Sequence, residues 1–539
     1  MASTLSRRTF LKVSAAAGGA LVVGGYLPGL RDVDTATAAA GLFEPNVWVK
    51  IGSDDRVTIM LSQLEMGQGV MTSMPMLVAE ELDVDWTKIK TEWTPADPKF
   101  GNPNFRGAQL TAGSNSVRGM WKLLREAGGT ARAMLVTAAA ETWGVAANTC
   151  STEKGEVVHK ASGRRLRYGS LVDKAAALPV PKTVALKDPK DFRLLGQPLP
   201  RLDIPEKVNG KAVFGIDVKR PDMLVARVVR CPVFGGKAAS YNADKAKAIA
   251  GVRHVVEISS GVAVVADNYW AASKGAQALE VKWNEGPLAN LHSADIMKKY
   301  AALAEQPGKI ARNNGDAAAA MKGATHAFER VFEAPFLAHA CMEPMNCTAD
   351  VRPDRCDVWV PTQGQTASHQ AAIAASGLPA KAVNIYTTYL GGGFGRRGEA
   401  DFVTEAVETS KAVAKPVKVV WSREDDIQHD FYRPVTYVRM WGALDASGKP
   451  VAFMQRLVQQ SLMKRLGALP PTGVDFISVD GSANLPYDIP NVRVEYTEAD
   501  PGIPYGFWRS VGASVQGYVV EAFIDELATT AGKDPYQFR

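Results

Sequence analysis

Apolar and polar positions alternate in "VWVKIGSDDRVTIMLSQ" on both sides of a Gly52-Ser-Asp-Asp turn. Period-two alternation interrupted by such a turn predicts a β-hairpin. The pattern then changes to helical spacing. Met74, Val78 and Leu82 share one face, with Ser73 as the expected N-cap and Pro75 in the first turn. Just upstream lies "EMGQG", Glu65 to Gly69, whose exposed amides before a helix start suit an anionic or polar ligand. The plain alternative is that it is only a turn. A second helical stretch covers Asn115 to Trp143, with Gly128-Gly129 as an expected kink. Before it, "QLTAGSNSVRG" gathers Thr111, Ser114, Asn115 and Ser116, which read either as a capping cluster or as a phosphate contact.

The Pro-rich stretch "LPVPKTVALKDPKDFRLLGQPLPRLD" reads as a linker that closes a first region at about residue 195. Short strands follow ("KAVFGIDV", "MLVARVVRCPV"), then a helix capped at Asn242, strands "VRHVVEI" and "GVAVVAD", and a helix from Tyr269. These predict a compact α+β unit over residues 201–285. "GKIARNNGDAAAAMKG" reads as a low-complexity linker, and strands and helices alternate again in a third region, 320–539. The fold class expected is α+β, in several domains.

Composition narrows the function classes. A chain of 539 residues exceeds one ordinary core, and 46% hydrophobic with 22% charged residues is the balance of a folded protein. The net charge of +6, without a basic stripe interleaved with aromatics, argues against a nucleic-acid partner. Five cysteines form no CxxC, and seven histidines form neither HxxxH nor HExxH. No metal-ligand set is therefore assigned to this chain. The N-terminus, "SRRTFLKVSAAAGGALVVGGYLPGL", has the paired arginines and weakly apolar run of a twin-arginine export signal over residues 1–40. Export to the periplasm, or to the periplasmic face of the inner membrane, is the expectation.

The densest glycine cluster is "YLGGGFGRR", Tyr389 to Arg397. It lacks the Lys-Ser/Thr ending of a phosphate-binding P-loop and the spacing of a dinucleotide fingerprint. Taken with "EMGQG", "HACMEPMNCTA", "VWVPTQGQTASHQ", "WSREDDIQHDFYRP" and "GFWRSVGASVQGYVVEAFIDELA", it makes a more specific set. With these segments the chain resembles the large, molybdenum-cofactor subunit of the xanthine dehydrogenase family. Within it, the chain is most similar to the isoquinoline 1-oxidoreductase beta subunits and related exported aldehyde dehydrogenases. As in that branch, "MGQG" precedes the glycine loop, and residues 201–285 resemble an α/β-hammerhead domain between permuted cofactor-binding domains.

The resemblance implies a molybdenum held by the sulfurs of a molybdopterin, in the cytosine dinucleotide form, rather than by side chains. It places Gly393, Phe394 and Gly395 beside the metal's oxo ligands and gives Gln363 a hydrogen bond to an oxo group. Gly67, Gln68 and Gly69 would grip the pterin, and Thr111, Ser114 and Ser116 its phosphate end. Arg509 would stand near the substrate, although "RSVG" departs from the usual loop. Arg397-Gly398 replaces the Lys-Glu of purine oxidases, which favours a flatter N-heterocycle or an aldehyde as substrate. The plain reading of Arg396 and Arg397 is a solvated or acid-paired surface pair.

The implied reaction is oxidative hydroxylation. Its electrons would leave through a small subunit carrying a [2Fe-2S] cluster to a membrane-linked cytochrome c or a quinone. The family's glutamate general base lies in a "GExG"-like segment that this sequence lacks, and Glu65, Glu80, Glu343 and Glu521 belong to other motifs. "DPYQFR" begins a capped helix that stops after one turn, so the third region is expected to be incomplete and the chain inactive alone. The alternative function is a truncated or non-enzymatic exported binding protein derived from such an enzyme.

Overall fold

The computed structural model describes residues 37–39 and 42–539, and the export signal, apart from residues 37–39, lies outside them. The predicted hairpin is present. Val49–Gly52 pairs antiparallel with Val57–Leu61 in a five-stranded sheet. Val57–Leu61 also pairs in parallel with Ile89–Trp93, which requires a crossover. That crossover carries helix α1, Val70–Leu82, so "EMGQG" sits between a strand end and a helix start. The helix begins before the expected Ser73 cap: Gly69 is the N-cap, and the Ser73 N–H already donates to the Gly69 carbonyl. The cause is Glu65, whose carboxylate takes the N–H groups of Gly67, Gly69 and Met71 and so caps from upstream. Pro75 consequently lies inside the helix.

Helix α2, Asn115–Trp143, has the expected span and runs unbroken through Gly128-Gly129. These glycines serve close packing, not a kink. A Cβ on Gly128 would stand 2.5 Å from the Val78 carbonyl oxygen of α1. Met74, Val78 and Leu82 of α1 and Leu124 and Leu135 of α2 are buried in the core this approach creates. The Pro-rich segment is equally structural. Glu80 accepts from the N–H groups of Arg193, Leu194 and Leu195, and Glu81 from Lys187 and the Arg125 guanidinium. The expected linker is thus a strap tied to two buried carboxylates.

A seven-stranded mixed sheet runs in the order Val252–Ile258, Gly261–Ala266, Leu224–Val229, Val417–Val420, Asn346–Val351, Cys356–Val360, Val383–Thr387. Residues 201–285 therefore share this sheet with the third region, through the parallel pair Leu224–Val229 and Val417–Val420. "KAVFGIDV" is not a strand but an irregular segment around a short 3-10 turn at Gly215–Asp217. The last two strands of the sheet are parallel neighbours. Their carboxyl ends feed "PTQ" and "YLGGGFG", and that register brings the two loops side by side. A second five-stranded sheet includes Lys309–Asn314, so this part of the expected linker is a strand. It is covered by helix α3, Gly512–Thr530, through Val519, Phe523 and Leu527.

An exposed helical glycine replaced by alanine gains up to about 1 kcal/mol, whereas overpacking a tight contact costs about 1–3 kcal/mol. Gly128→Ala is expected to lower the first thermal unfolding transition by several degrees, followed by circular dichroism. A higher transition temperature would contradict the close contact.

Candidate active site

Four loops meet around the side chain of Gln363, which is buried. Its Nε2 donates to the Thr111 carbonyl at 3.1 Å, and its Oε1 accepts from the Gly395 N–H at 3.0 Å. The Thr111 N–H returns a bond to the Gln363 carbonyl at 2.7 Å. Thr111 also accepts, on its hydroxyl, the N–H of Leu64 at 2.8 Å, and the Leu64 carbonyl accepts from Gln68 Nε2 at 2.7 Å. One chain of hydrogen bonds thus joins Gln68, Thr111, Gln363 and Gly395. Gly393 lies against the same amide: a Cβ there would be 2.5 Å from Gln363 Oε1 and 3.1 Å from the Met66 sulfur.

Two of these loops are held by a buried carboxylate. Glu65 takes three amides of its own loop, which removes most of the anion-binding capacity expected at Gly67 and Gly69. The Arg201 guanidinium crosses to the Gly67 carbonyl and Glu65, and it is gripped in turn by Asp203. Burial pushes the Asp203 carboxyl up, but the Arg201 and Lys207 cations dominate and hold it down at about 2. Glu343 accepts from the N–H groups of Gly391 at 2.7 Å and Ile216 at 3.0 Å. Arg397 reaches Glu343, the Gly392 carbonyl and the Pro361 carbonyl.

Arg396 and Arg397 are acid-paired, as one of the two plain readings had it, but at 1% and 0% exposed they are interior residues and not a surface pair. Arg396 makes a two-pronged contact with Asp401, its Nε stands 3.0 Å from Asp430, and its plane faces Trp421 and Phe431. Burial pulls its pKa down, and the Asp401 and Asp430 carboxylates more than restore it. For Arg397 burial wins over Glu343, and the pKa falls. An arginine is the residue type that tolerates such burial, because its charge persists and its planar fork satisfies several acceptors.

What remains open is a set of donors. The N–H groups of Gly392, Gly393 and Phe394 have no partner among the described residues, nor do those of Gln68, Ala112, Gly113 and Ser114. Gly393 is itself buried, and a buried unpaired amide costs about 1–3 kcal/mol. The buried Ser62 hydroxyl and Gln365 Oε1, next to the same network, also lack partners. Phe394 adopts φ 55 and leaves its ring partly exposed. The arrangement leaves a group of donors suited to a large ligand with many acceptors.

Ser116 donates to Gln63 at 3.2 Å, close to the network, while Ser114 is exposed with φ 54 and its side chain is unpartnered. Arg509 is exposed, and no hydrogen bond or ion pair holds its side chain among the described residues. Its turn nevertheless reaches the site. A Cβ on Gly395 would lie 1.4 Å from the Phe507 carbonyl oxygen. Glu65, Glu80, Glu343 and Glu521 are all engaged by donors. Sequence reasoning missed Arg201, His339 and Asp430 as parts of the site. His339 and Asp430 carried a signal, through their places in "HACMEPMNCTA" and "WSREDDIQHDFYRP", and Arg201 carried none.

Residues 303–539 and 14–201 match two family models, each described as a molybdopterin cofactor-binding domain. The chain is 30% identical to isoquinoline 1-oxidoreductase subunit beta of Brevundimonas diminuta, over 99% of this chain and 74% of that protein. It is 30% identical to a membrane-bound aldehyde dehydrogenase (pyrroloquinoline-quinone) of Gluconacetobacter polyoxogenes, over 100% of this chain and 72% of that protein. Among solved structures, aldehyde oxidoreductase from Desulfovibrio gigas superposes with a TM-score of 0.51 at 19% identity, covering 66% of this chain and 44% of that one. The chain thus spans about three quarters of those two curated relatives and less than half of that solved chain, with which it shares a fold.

Removing the Gln363 amide leaves the Thr111 carbonyl and the Gly395 N–H unpaired in the interior. Gln363→Ala is expected to cost about 2–4 kcal/mol in denaturant unfolding, against under about 1 kcal/mol for Gln68→Ala at the exposed loop. The reverse order would contradict the network.

Proposed function

Because this chain belongs to the molybdopterin-binding large subunits of the xanthine dehydrogenase family, we propose that it binds the molybdenum cofactor of an exported oxidoreductase. The reaction proposed is hydroxylation of an N-heteroaromatic compound of the isoquinoline type, or oxidation of an aldehyde. One observation carries the reading: the unpartnered N–H groups of Gly392, Gly393 and Phe394 stand beside the fixed Gln363 amide. The open donors and the partnerless Ser62 and Gln365 atoms fit a polar, multi-acceptor cofactor.

When bound, a molybdopterin supplies two-electron oxidation of a carbon centre. The residues of this chain do the positioning. Gly392, Gly393 and Phe394 offer backbone donors, because no Cβ hinders approach at the two glycines. Gln363 fixes the Gly395 end of the loop, and the amides of Ala112, Gly113 and Ser114 at the start of α2 offer the place for a phosphate of a cytosine dinucleotide form. Arg509, on the turn that Gly395 touches, is the proposed substrate-side cation.

Electrons then need another carrier. Four of the five cysteines are buried, and no group of three metal-ligating side chains occurs among the described residues. A small [2Fe-2S] subunit is proposed to take them, with a membrane-linked cytochrome c or a quinone beyond it, after twin-arginine export to the periplasm. A second reading, a non-catalytic exported binding protein, draws on the engagement of Glu65, Glu80, Glu343 and Glu521, none of which is left open as a base.

Molybdenum and cytosine-nucleotide analysis of the protein co-expressed with its small partner is expected to find both. Gly393→Ala, whose Cβ would displace Gln363, is expected to lose most of the molybdenum while the protein stays folded. Wild-type protein free of molybdenum and nucleotide would end the proposal.

A further inference from the structure

We propose that His339 is held as a doubly protonated imidazolium and is the positioning residue that fixes the Phe507–Val511 turn against the glycine loop. The inference rests on the preceding reading, in that this loop is the one assigned to the cofactor. Its basis is hydrogen-bond geometry. His339 is buried, and its Nδ1 stands 2.9 and 3.0 Å from the two carboxylate oxygens of Asp430. Its Nε2 stands 3.0 Å from the carbonyl oxygen of Phe507. A neutral imidazole has one N–H and one lone pair, so either tautomer would aim a lone pair at an acceptor. Only the imidazolium donates to both.

Asp430 is an acceptor throughout. It takes the backbone N–H of Phe431 at 2.7 Å and that of His339 at 2.5 Å. Burial favours its neutral acid, yet His339 and Arg396 hold the carboxyl below its ordinary range. The charged groups around His339 are three arginine–carboxylate pairs, Asp430, and Arg433, which bonds to the Pro335 carbonyl and has no carboxylate partner among the described residues. Arg396 pairs with Asp401, Arg397 with Glu343 and Arg423 with Asp426. Asp430 is left with His339 as its own counter-ion, and Arg396 as a neighbour shared with Asp401. Cys341, two residues on, contributes no charge, since burial pushes its thiol up to about 11.

The turn needs such an anchor. Ser510 has φ 65 and Val511 φ 50, and a β-branched residue in the left-handed region is strained by about 1–3 kcal/mol. Strain of that kind persists only where surrounding contacts over-determine the backbone. Here they come from adjacent residues: His339 Nε2 holds the Phe507 carbonyl, and the Ala338 carbonyl accepts from the Trp508 indole at 3.2 Å. Arg509 is carried between these anchors and the strained pair.

The full chain labelled with 15N in its seven histidine rings tests the charge directly. At about pH 8, exposed histidines are neutral. One ring is expected to show both nitrogens protonated, and that signal should vanish in His339→Gln. If the variant fails to fold, Asp430→Asn serves instead and is expected to convert the signal to a neutral pattern. Seven rings that each show an unprotonated nitrogen, or a doubly protonated signal that persists in His339→Gln, would overturn the inference. In the assembled holoenzyme, His339→Gln is expected to keep its molybdenum and lose about tenfold or more in kcat/KM. An unchanged kcat/KM would remove the positioning role. Failure of the cofactor reading shows separately, as wild-type protein without molybdenum.

Discussion

The side-chain amide of Gln363 is the joint on which the site depends. It lies between two loops distant in sequence, with one hydrogen bond to the Thr111 carbonyl and one to the Gly395 N–H. An amide suits this place because it offers a donor and an acceptor at once. A glutamate there would repel the Thr111 carbonyl, and an aliphatic residue would strand both partners. Through Thr111 and Leu64 the same joint reaches the "EMGQG" loop.

Around that joint one division of labour recurs. Buried carboxylates take the amides and cations that would otherwise compete for a ligand: Glu65 for its own loop, Glu343 for Gly391 and Arg397, Asp430 for His339. The donors left over include those of Gly392, Gly393 and Phe394. Buried charges of this kind are tolerated because each is both paired and hydrogen-bonded. Their contribution is to fix loop geometry rather than to add net stability.

Much of this architecture was legible in the sequence. The hairpin and the 29-residue helix α2 follow from periodicity, whereas the convergence of "PTQ", "GGGFG" and "QLTAG" was implied only by the family resemblance. Three features were not. The Pro-rich segment and "GKIARNNGDAAAAMKG" read as linkers because their composition is loop-like, yet long-range bonds to Glu80 and pairing with Asn491–Glu498 order them. Gly128 read as a kink because its tight contact is with Val78, 50 positions away in the sequence. Arg396 and Arg397 looked like surface residues because their counter-ions, Asp401 and Asp430 on one side and Glu343 on the other, come from separate elements. Local pattern reports secondary structure well and long-range polar pairing poorly.

Three consecutive backbone donors, at Gly392, Gly393 and Phe394, have no internal partner among the described residues and stand free for a cofactor. Amide hydrogen exchange over residues 389–397, compared between molybdenum-loaded and cofactor-free protein, tests this most directly. The account predicts that protection of those three amides rises steeply on loading while Gly395, already bonded to Gln363, changes little. Equal exchange in both forms, or protection confined to Gly395, would contradict it.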